Sequence, residues 1–299
     1  MLASAILRCR PYGQFRPEAK VHILEKLARF IVGLAIFIGV TCGLAFPHLL
    51  FIMARRRLFG GDEGRYRNAV MSCFTFWASR GFDLIQAVLA MKVTVRWAPN
   101  MERAARQQLI IIANHESSLE VLPIIRMLHD GLGVTDVRFV MKNQLRWAPV
   151  VGLGCLEGGC AFVDRNGDRK DVLAVSDSAA MAKREGASYF IYPEGTRSPK
   201  GAPNGRYRRL GDPKLGGFVR LCKEHGGWVL SVASIWPGPP IGAKTMFQAY
   251  KFVGRELIID VGLSPPVPHE QAGEWLRSVE WPRMDDVVSG DKPLQAAHP

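Results

Sequence analysis

Two kinds of apolar segment alternate along most of the chain. Some are short runs rich in Val, Ile and aromatic residues, which is typical of β-strands. Others have the longer spacing of a helix with one polar face. The strand-like runs lie at residues 92–97, 109–113, 137–141, 160–163, 188–192, 228–235 and 256–261, and the helix-like segments lie at residues 119–128, 171–184 and 214–225.

Strands that alternate with helices are typical of the α/β class, in which the sheet contains parallel strands. We therefore predict an α/β fold with a mixed, partly parallel sheet flanked by helices, within a domain at residues 68–268. Residues 1–67 are assigned to a basic segment and membrane anchor. Residues 269–299 are rich in Asp and Glu and are assigned to an acidic tail that ends in a disordered stretch.

Residues 30–53 contain no Asp, Glu, Lys or Arg. As a helix they would be about 36 Å long, enough to cross the hydrocarbon core of a bilayer. Glycines and Pro47 also permit a hairpin that enters and leaves on one side. Basic residues flank both ends, including Arg55, Arg56 and Arg57, so the positive-inside rule does not choose an orientation. We predict a membrane-anchoring helix or helical hairpin, and the alternative is a buried helix of a soluble domain.

The chain of 299 residues has a formal net charge of +12, which favours anionic partners. Phosphorylated small molecules and anionic lipid headgroups fit this charge. Nucleic acid is not predicted as a partner, because the apolar segment at residues 30–53 is not expected in a protein that reads DNA. The six cysteines include no C-x-x-C pair and the histidines lack metal-ligand spacing, so no metal site is predicted.

Polar residues directly follow three of the predicted strands. They are His115, Arg165 and the residues 194–197. Ligands of α/β sheets bind at the carboxyl ends of the strands. If these strands are parallel neighbours, the three groups are expected to meet in one crevice.

His115 lies between a predicted strand and a predicted helix, and Glu120 stands at the beginning of that helix. A histidine hydrogen-bonded to a carboxylate can take the proton of a hydroxyl group and make it nucleophilic. Residues five apart do not share a helix face, so this pair requires His115 to lie before the helix. Glu120 also fits a capping box with Ser117, in which the glutamate binds the backbone of the cap residue. The residues alone leave both interpretations open.

The same segments resemble the motifs of the membrane-bound glycerolipid acyltransferases, and in particular of bacterial lysophosphatidic acid acyltransferases. The family motif N-H-x-x-x-x-D resembles residues 114–120, and a second motif that ends in arginine resembles residues 159–165. The third motif, F-P-E-G-T-R-S, resembles residues 192–198, and a K-x-G element resembles residues 214–216. The resemblance extends from about residue 92 to residue 261.

The resemblance implies a role for each matching residue. His115 would be the general base, and Glu120 would orient its imidazole, although the family more often has aspartate there. The fourth family motif usually has a proline within an apolar strand, which this chain lacks at residues 230–232. The phosphate of the acyl acceptor would be bound by Arg165, Glu194, Gly195, Thr196 and Arg197.

The resemblance also implies the reaction and its partners. We expect transfer of a fatty acyl group from acyl-CoA or acyl carrier protein to a lysophospholipid in a membrane, without a cofactor. Lysophosphatidic acid is the expected acceptor and phosphatidic acid the product. The expected location is a bacterial inner membrane, with the catalytic domain facing the cytoplasm. The alternatives are another acceptor, such as a lyso-ornithine lipid, or a non-catalytic lipid-binding relative.

Overall fold

The computed structural model describes residues 23–117, 119–166, 168–195, 207–238 and 246–290. Predictions that concern the other residues are not addressed by the fold. They include the basic segment before residue 23 and the last nine residues of the predicted tail.

The described residues contain a seven-stranded sheet with the strand order β1-β7-β6-β2-β5-β3-β4. The strands are β1 (Lys92–Trp97), β2 (Leu109–Ala113), β3 (Val137–Lys142), β4 (Ala161–Val163), β5 (Ser188–Ile191), β6 (Trp228–Ile235) and β7 (Glu256–Ser264). Neighbouring strands are parallel except β6 and β7, which are antiparallel. The predicted mixed, partly parallel α/β sheet is therefore confirmed.

The helices cover both faces of this sheet. They are α1 (Ile23–Ile38), α2 (Phe46–Phe59), α3 (Glu63–Val88), α4 (Val121–Arg126), α5 (Val151–Glu157), α6 (Arg169–Glu185), α7 (Leu215–Glu224), α8 (His269–Trp275) and α9 (Trp281–Ser289). Local sequence sets some of the ends. The Asp168 side chain accepts a hydrogen bond from the Asp171 amide at the start of α6, and Gly186 ends the helix in the left-handed region.

The central strand β2 shows how the two faces are filled. Leu109 and Ile111 contribute to the hydrophobic core beneath α3 and α4, whereas Ile110 and Ile112 contribute to the core beneath α6 to α9. All four side chains are completely buried. A strand that is apolar on both faces is expected where helices cover both sides of a sheet.

The apolar segment at residues 30–53 forms one helix rather than a hairpin of its own. The helix extends over Leu24–Phe59, through a π-helical segment at Gly39–Ala45, and its most apolar 18-residue stretch has a mean hydropathy of 2.2. Only 6% of its most apolar stretch is buried. Among the described residues, this is the one helix that is long and apolar enough to cross a bilayer.

A hairpin does form between this long helix and α3, which lies antiparallel to it. Val40 is close to Gly81, and Arg56 forms an ion pair with Glu63 at 2.7 Å beside the connecting turn. The long helix also contacts the folded domain near each end. Phe30 packs edge-on against Tyr250, and Leu49 is buried close to Gly154.

The predicted division of the chain differs from the structure at two places. The boundary between residues 67 and 68 falls inside α3. Residues 269–290, assigned above to an acidic tail, belong to the folded domain because α8 and α9 are amphipathic. Their apolar side chains fill the core beneath the sheet, and Glu270 faces solvent. The buried apolar residues include Ala272, Leu276, Trp281 and Met284.

Candidate active site

The strands β2 and β5 are parallel neighbours, so their carboxyl ends lie side by side. Asn114 and His115 follow β2 directly, and residues 192–195 follow β5 directly. The strand β6 is the parallel neighbour on the other side of β2 and is followed by Trp236. Chain order and strand pairing therefore bring three loops together at one edge of the sheet.

Asn114 fixes the start of the loop that carries His115. Its side-chain amide donates to the Ser234 carbonyl at 3.0 Å, and the Ser234 amide donates back to Asn114 Oδ1 at 2.7 Å. Both residues are buried. These two hydrogen bonds hold the backbone before His115 against β6.

His115 lies against the aromatic ring of Tyr192. The two rings are stacked, with centroids 4.1 Å apart and an interplanar angle of 22°. The His115 side chain keeps 18% of its surface exposed, so a small substrate group can reach it. Burial raises the pKa of the Tyr192 hydroxyl well above its usual range, which keeps the stacked ring neutral.

Glu120 is completely buried beside this imidazole, with 3.7 Å between Glu120 Oε2 and His115 Nδ1. Its carboxylate accepts hydrogen bonds from the amides of Glu116 and Ser117, at 2.9 and 2.8 Å, and from Trp236 Nε1 at 2.9 Å. The capping-box contact to Ser117 is thus formed together with the approach to His115. The two interpretations are compatible, because one oxygen faces the imidazole while three N–H groups hold the carboxylate in place.

A distance of 3.7 Å is longer than a hydrogen bond. Catalytic hydrogen bonds are often long without substrate and shorten when it binds. Glu120 approaches Nδ1, so Nε2 is the ring nitrogen of His115 that does not face this carboxylate.

Glu194 joins the loop of His115 to a third segment of the chain. Glu194 Oε1 accepts a hydrogen bond from the His115 amide at 2.9 Å, and Oε2 accepts one from the Gly211 amide at 3.2 Å. Burial raises the pKa of this carboxyl to about 8, against the opposing effect of the two amides. Both carboxyl oxygens of Glu194 therefore contact backbone amides of the protein.

Gly195 and Arg165 meet at the turn after β5. Gly195 adopts φ +67°, and a Cβ atom there would lie 3.1 Å from the Lys214 side chain, so the turn favours glycine. The Arg165 guanidinium donates to the Gly195 carbonyl. The Arg165 backbone is held by Asp171, which accepts its amide at 2.7 Å. Thr196 and Arg197 lie outside the described residues, so their predicted role stays a prediction.

A small, open cavity lies in front of His115. It is lined by Asn114, His115, Glu116, Glu194, Arg209, Leu210 and Val288. Sequence reasoning assigned no role to Val288 or Trp236. In the described part of the chain, no group of three or more His, Cys, Asp or Glu side chains could hold a metal ion.

The fold and this site define an α/β protein with a histidine next to a buried carboxylate at the carboxyl ends of parallel strands. Residues 92–235 match the protein family described as Acyltransferase. Residues 92–235 thus form an acyltransferase-family domain. The resemblance inferred from the motifs is confirmed at this level.

Curated relatives carry a more specific description. The chain is 29% identical over 118 residues to human 1-acyl-sn-glycerol-3-phosphate acyltransferase alpha, which covers 40% of this chain and 39% of the relative. It is 28% identical over 116 residues to the probable 1-acyl-sn-glycerol-3-phosphate acyltransferase of Mycoplasma pneumoniae, covering 39% and 43%. The matched segment thus spans about two fifths of the length of these relatives.

A solved structure supports the fold over more of the chain. The crystal structure of the 1-acyl-sn-glycerophosphate (LPA) acyltransferase PlsC from Thermotoga maritima superposes with a TM-score of 0.58 at 19% identity. The superposition covers 89% of this chain and 96% of that one. The sheet and its flanking helices therefore have the same fold.

Proposed function

We propose that this protein is an O-acyltransferase that moves a fatty acyl group from a thioester to the free hydroxyl of lysophosphatidic acid. The observation that carries the proposal is the His115 imidazole, stacked on Tyr192 and 3.7 Å from the buried Glu120 carboxylate, in a motif of the acyltransferase family. The names of the curated relatives support the choice of acceptor.

In the proposed reaction, His115 Nε2 takes the proton of the acceptor hydroxyl as its oxygen attacks the thioester carbonyl. Glu120 stabilises the imidazolium that results and keeps Nδ1 protonated, as the acid does in catalytic triads. The carbon–sulfur bond then breaks, and the proton passes from His115 to the leaving thiolate. The acceptor oxygen is itself the nucleophile, so the protein need not supply one.

The acceptor phosphate is proposed to bind beside the turn after β5. The contact between the Arg165 guanidinium and the Gly195 carbonyl supports a role for Arg165, because it places a cation at this turn. Arg197 would be the second ligand, since guanidinium groups bind phosphate oxygens in pairs. Glu194, with its two backbone contacts, and Gly195 would shape the turn. The donor would be acyl-CoA or acyl carrier protein, and no cofactor would take part.

We also propose that the protein works at a membrane, through the helix at Leu24–Phe59. Its exposed apolar surface supports this, and its contacts with the folded domain near both ends favour attachment from one side of the bilayer. The basic flanks fit an anionic cytoplasmic leaflet. A bacterial inner membrane with the domain facing the cytoplasm is the proposed location.

The proposal is tested by offering the purified full-length protein labelled acyl-CoA and a panel of lysolipids with different headgroups. Lysophosphatidic acid should be the preferred acceptor. His115→Ala should lower kcat by about 100-fold or more, because general-base catalysis contributes at least this factor.

The thermal stability of the His115→Ala variant is the control for correct folding. His115→Ala should keep the melting temperature of the wild type within a few degrees, since His115 is partly exposed. A variant that transfers acyl groups at the wild-type rate would remove His115 from the mechanism. A preference for a lysolipid with another headgroup would show that the acceptor is not lysophosphatidic acid.

A further inference from the structure

The C-terminal helices lie beyond the family-matched segment, yet they reach the cavity of His115. Asp285 of α9 accepts three backbone hydrogen bonds from residues 208–210, at 2.7, 2.7 and 2.9 Å. Asp285 is 4% exposed. One buried carboxylate therefore fixes the backbone of this loop, and Val288 of the same helix lines the cavity.

Two further contacts hold the same loop. Trp281 Nε1 donates to the Gly211 carbonyl at 2.8 Å, and the Tyr207 hydroxyl donates to the Arg277 carbonyl at 3.0 Å. The Gly211 amide also binds Glu194, whose other oxygen accepts the His115 amide. The loop at residues 207–211 is thus fixed both to α9 and to the loop that carries His115.

The two arginines of this loop have different environments. The Arg208 side chain is 55% exposed and forms an ion pair with Asp286 at 2.5 Å. Arg209 instead lines the cavity together with His115. Among the described residues, no ion pair involves the Arg209 guanidinium, so its charge is available to a ligand in the cavity.

We propose that Arg209, held in place by Asp285, binds the phosphate monoester of the acyl acceptor. This rests on the proposed function and adds to it a residue from outside the known motifs. In a glycerol phosphate with a free neighbouring hydroxyl, the phosphate and the hydroxyl are on adjacent carbons. A hydroxyl at His115 Nε2 therefore brings its phosphate into the cavity that Arg209 lines.

The phosphates of coenzyme A fit this position less well. They are separated from the thioester by the whole pantetheine arm, so they lie far from the atoms that react at His115. A dianionic phosphate gains more from a guanidinium than a carboxylate does.

The test compares Arg209→Gln with Arg208→Gln in the full-length protein. The two variants lose the same charge from adjacent positions, so they form a matched pair. Arg209→Gln should raise the KM for lysophosphatidic acid by about tenfold or more, as expected for the loss of one charge-assisted hydrogen bond. Arg208→Gln should change it less than about twofold, as expected for an exposed ion pair.

Assays with two alternative substrates show which phosphate Arg209 binds. Monoacylglycerol, which lacks the phosphate, should show equal KM values in the wild type and Arg209→Gln. An acyl-pantetheine donor, which lacks the nucleotide phosphates, should leave the effect of Arg209→Gln intact. An effect that disappears with acyl-pantetheine would assign Arg209 to the donor, and equal effects of the two arginine variants would also overturn the proposal.

Equilibrium binding separates this proposal from the proposed function. Glycerol 3-phosphate binding, followed by calorimetry, should weaken about tenfold in Arg209→Gln and stay unchanged in Arg208→Gln. If the wild type transfers no acyl group but shows this pattern, the proposed function fails and the Arg209 site stands. Wild-type protein that binds no glycerol 3-phosphate, or variants that bind alike, would overturn the site.

Discussion

Trp236 is the side chain that connects the buried carboxylate of the site to the end of β6. Its indole N–H donates to Glu120 Oε1 at 2.9 Å, and its ring packs against Phe252 with centroids 4.9 Å apart. The residue is only 3% exposed. Glu120 has one methylene group more than the aspartate expected from the motif. The longer side chain has more rotamers, and some of them would move the carboxylate away from His115. The indole removes part of this freedom, so we interpret Trp236 as a positioning residue that acts through Glu120.

Trp236→Phe should lower kcat about tenfold and leave the KM for lysophosphatidic acid unchanged. Phenylalanine keeps the contact with Phe252 and loses only the hydrogen bond to the carboxylate, which contributes about 1.5–3 kcal/mol when charge-assisted. Steady-state kinetics with acyl-CoA measures both constants.

A double variant shows whether the indole acts through the carboxylate. In a Glu120→Gln background, Trp236→Phe should lower kcat by less than about twofold, because residues that act as a unit are not additive. Trp228→Phe, at the opposite end of β6, is the control for a general effect on the strand. Equal effects of Trp236→Phe in both backgrounds would leave Trp236 with a structural role alone.

The residues that share one local motif were predictable from the sequence, and those that meet through the fold were not. His115 and Glu120 are five positions apart, so their proximity can be inferred from the loop between them. Trp236 and Asp285 reach the site from strands and helices more than a hundred residues away. No local pattern marks either of them, because their role depends on strand order and on the docking of α9.

At the scale of elements, the period of apolar residues predicted the strands well. The predicted run at residues 256–261 belongs to a longer strand, β7, which continues to Ser264. The strand order was not predictable, since a parallel connection can place a strand beside several partners. The sequences of α8 and α9 contain apolar residues at helical spacing, but the assignment of an acidic tail was based on the number of Asp and Glu residues. Ala272 and Leu276 are four residues apart, as are Met284 and Val288, and such pairs share one helix face.

The long N-terminal helix is the element for which a membrane prediction can be tested. Ile31 and Ile38 are 57% and 52% exposed within its apolar stretch. Replacing both by Asp should release the protein from membranes during a carbonate wash, because each carboxylate costs about 2.5–3.5 kcal/mol near the centre of a membrane helix. Immunoblots of pellet and supernatant measure the distribution, and the wild type should stay in the pellet.

Val172→Asp with Leu173→Asp is the matched control. These two side chains are 39% and 48% exposed on α6, in the folded domain, and the change in charge is the same. This double variant should stay in the pellet. If both double variants leave the membrane to the same extent, the helix is not the specific anchor.

At the scale of the whole molecule, two buried carboxyl groups make stability depend on pH. Burial raises the pKa of Glu194 to about 8 and that of Asp136 to about 6, in the second case despite the neighbouring Arg138. A carboxyl group with a raised pKa binds a proton more tightly in the folded protein than in the unfolded one. Its contribution to stability is therefore fully present below its unfolded pKa and is lost as the pH rises through its folded pKa.

From pH 6 to 8, the folded protein completes the titration of Asp136, whose pKa is about 6, and approaches the pKa of Glu194 at about 8, so the free energy of unfolding should fall across this range in the wild type. Glu194→Gln should be less stable at low pH, because one amide loses a carboxyl partner, but its stability should change much less from pH 6 to 8. Denaturant titrations of the detergent-solubilised protein measure this slope. Glu270→Gln, at a side chain that is 70% exposed, should keep the wild-type slope. A Glu194→Gln variant with the same slope as the wild type would mean that the carboxyl is already ionised at pH 6, and that its amide partners outweigh its burial.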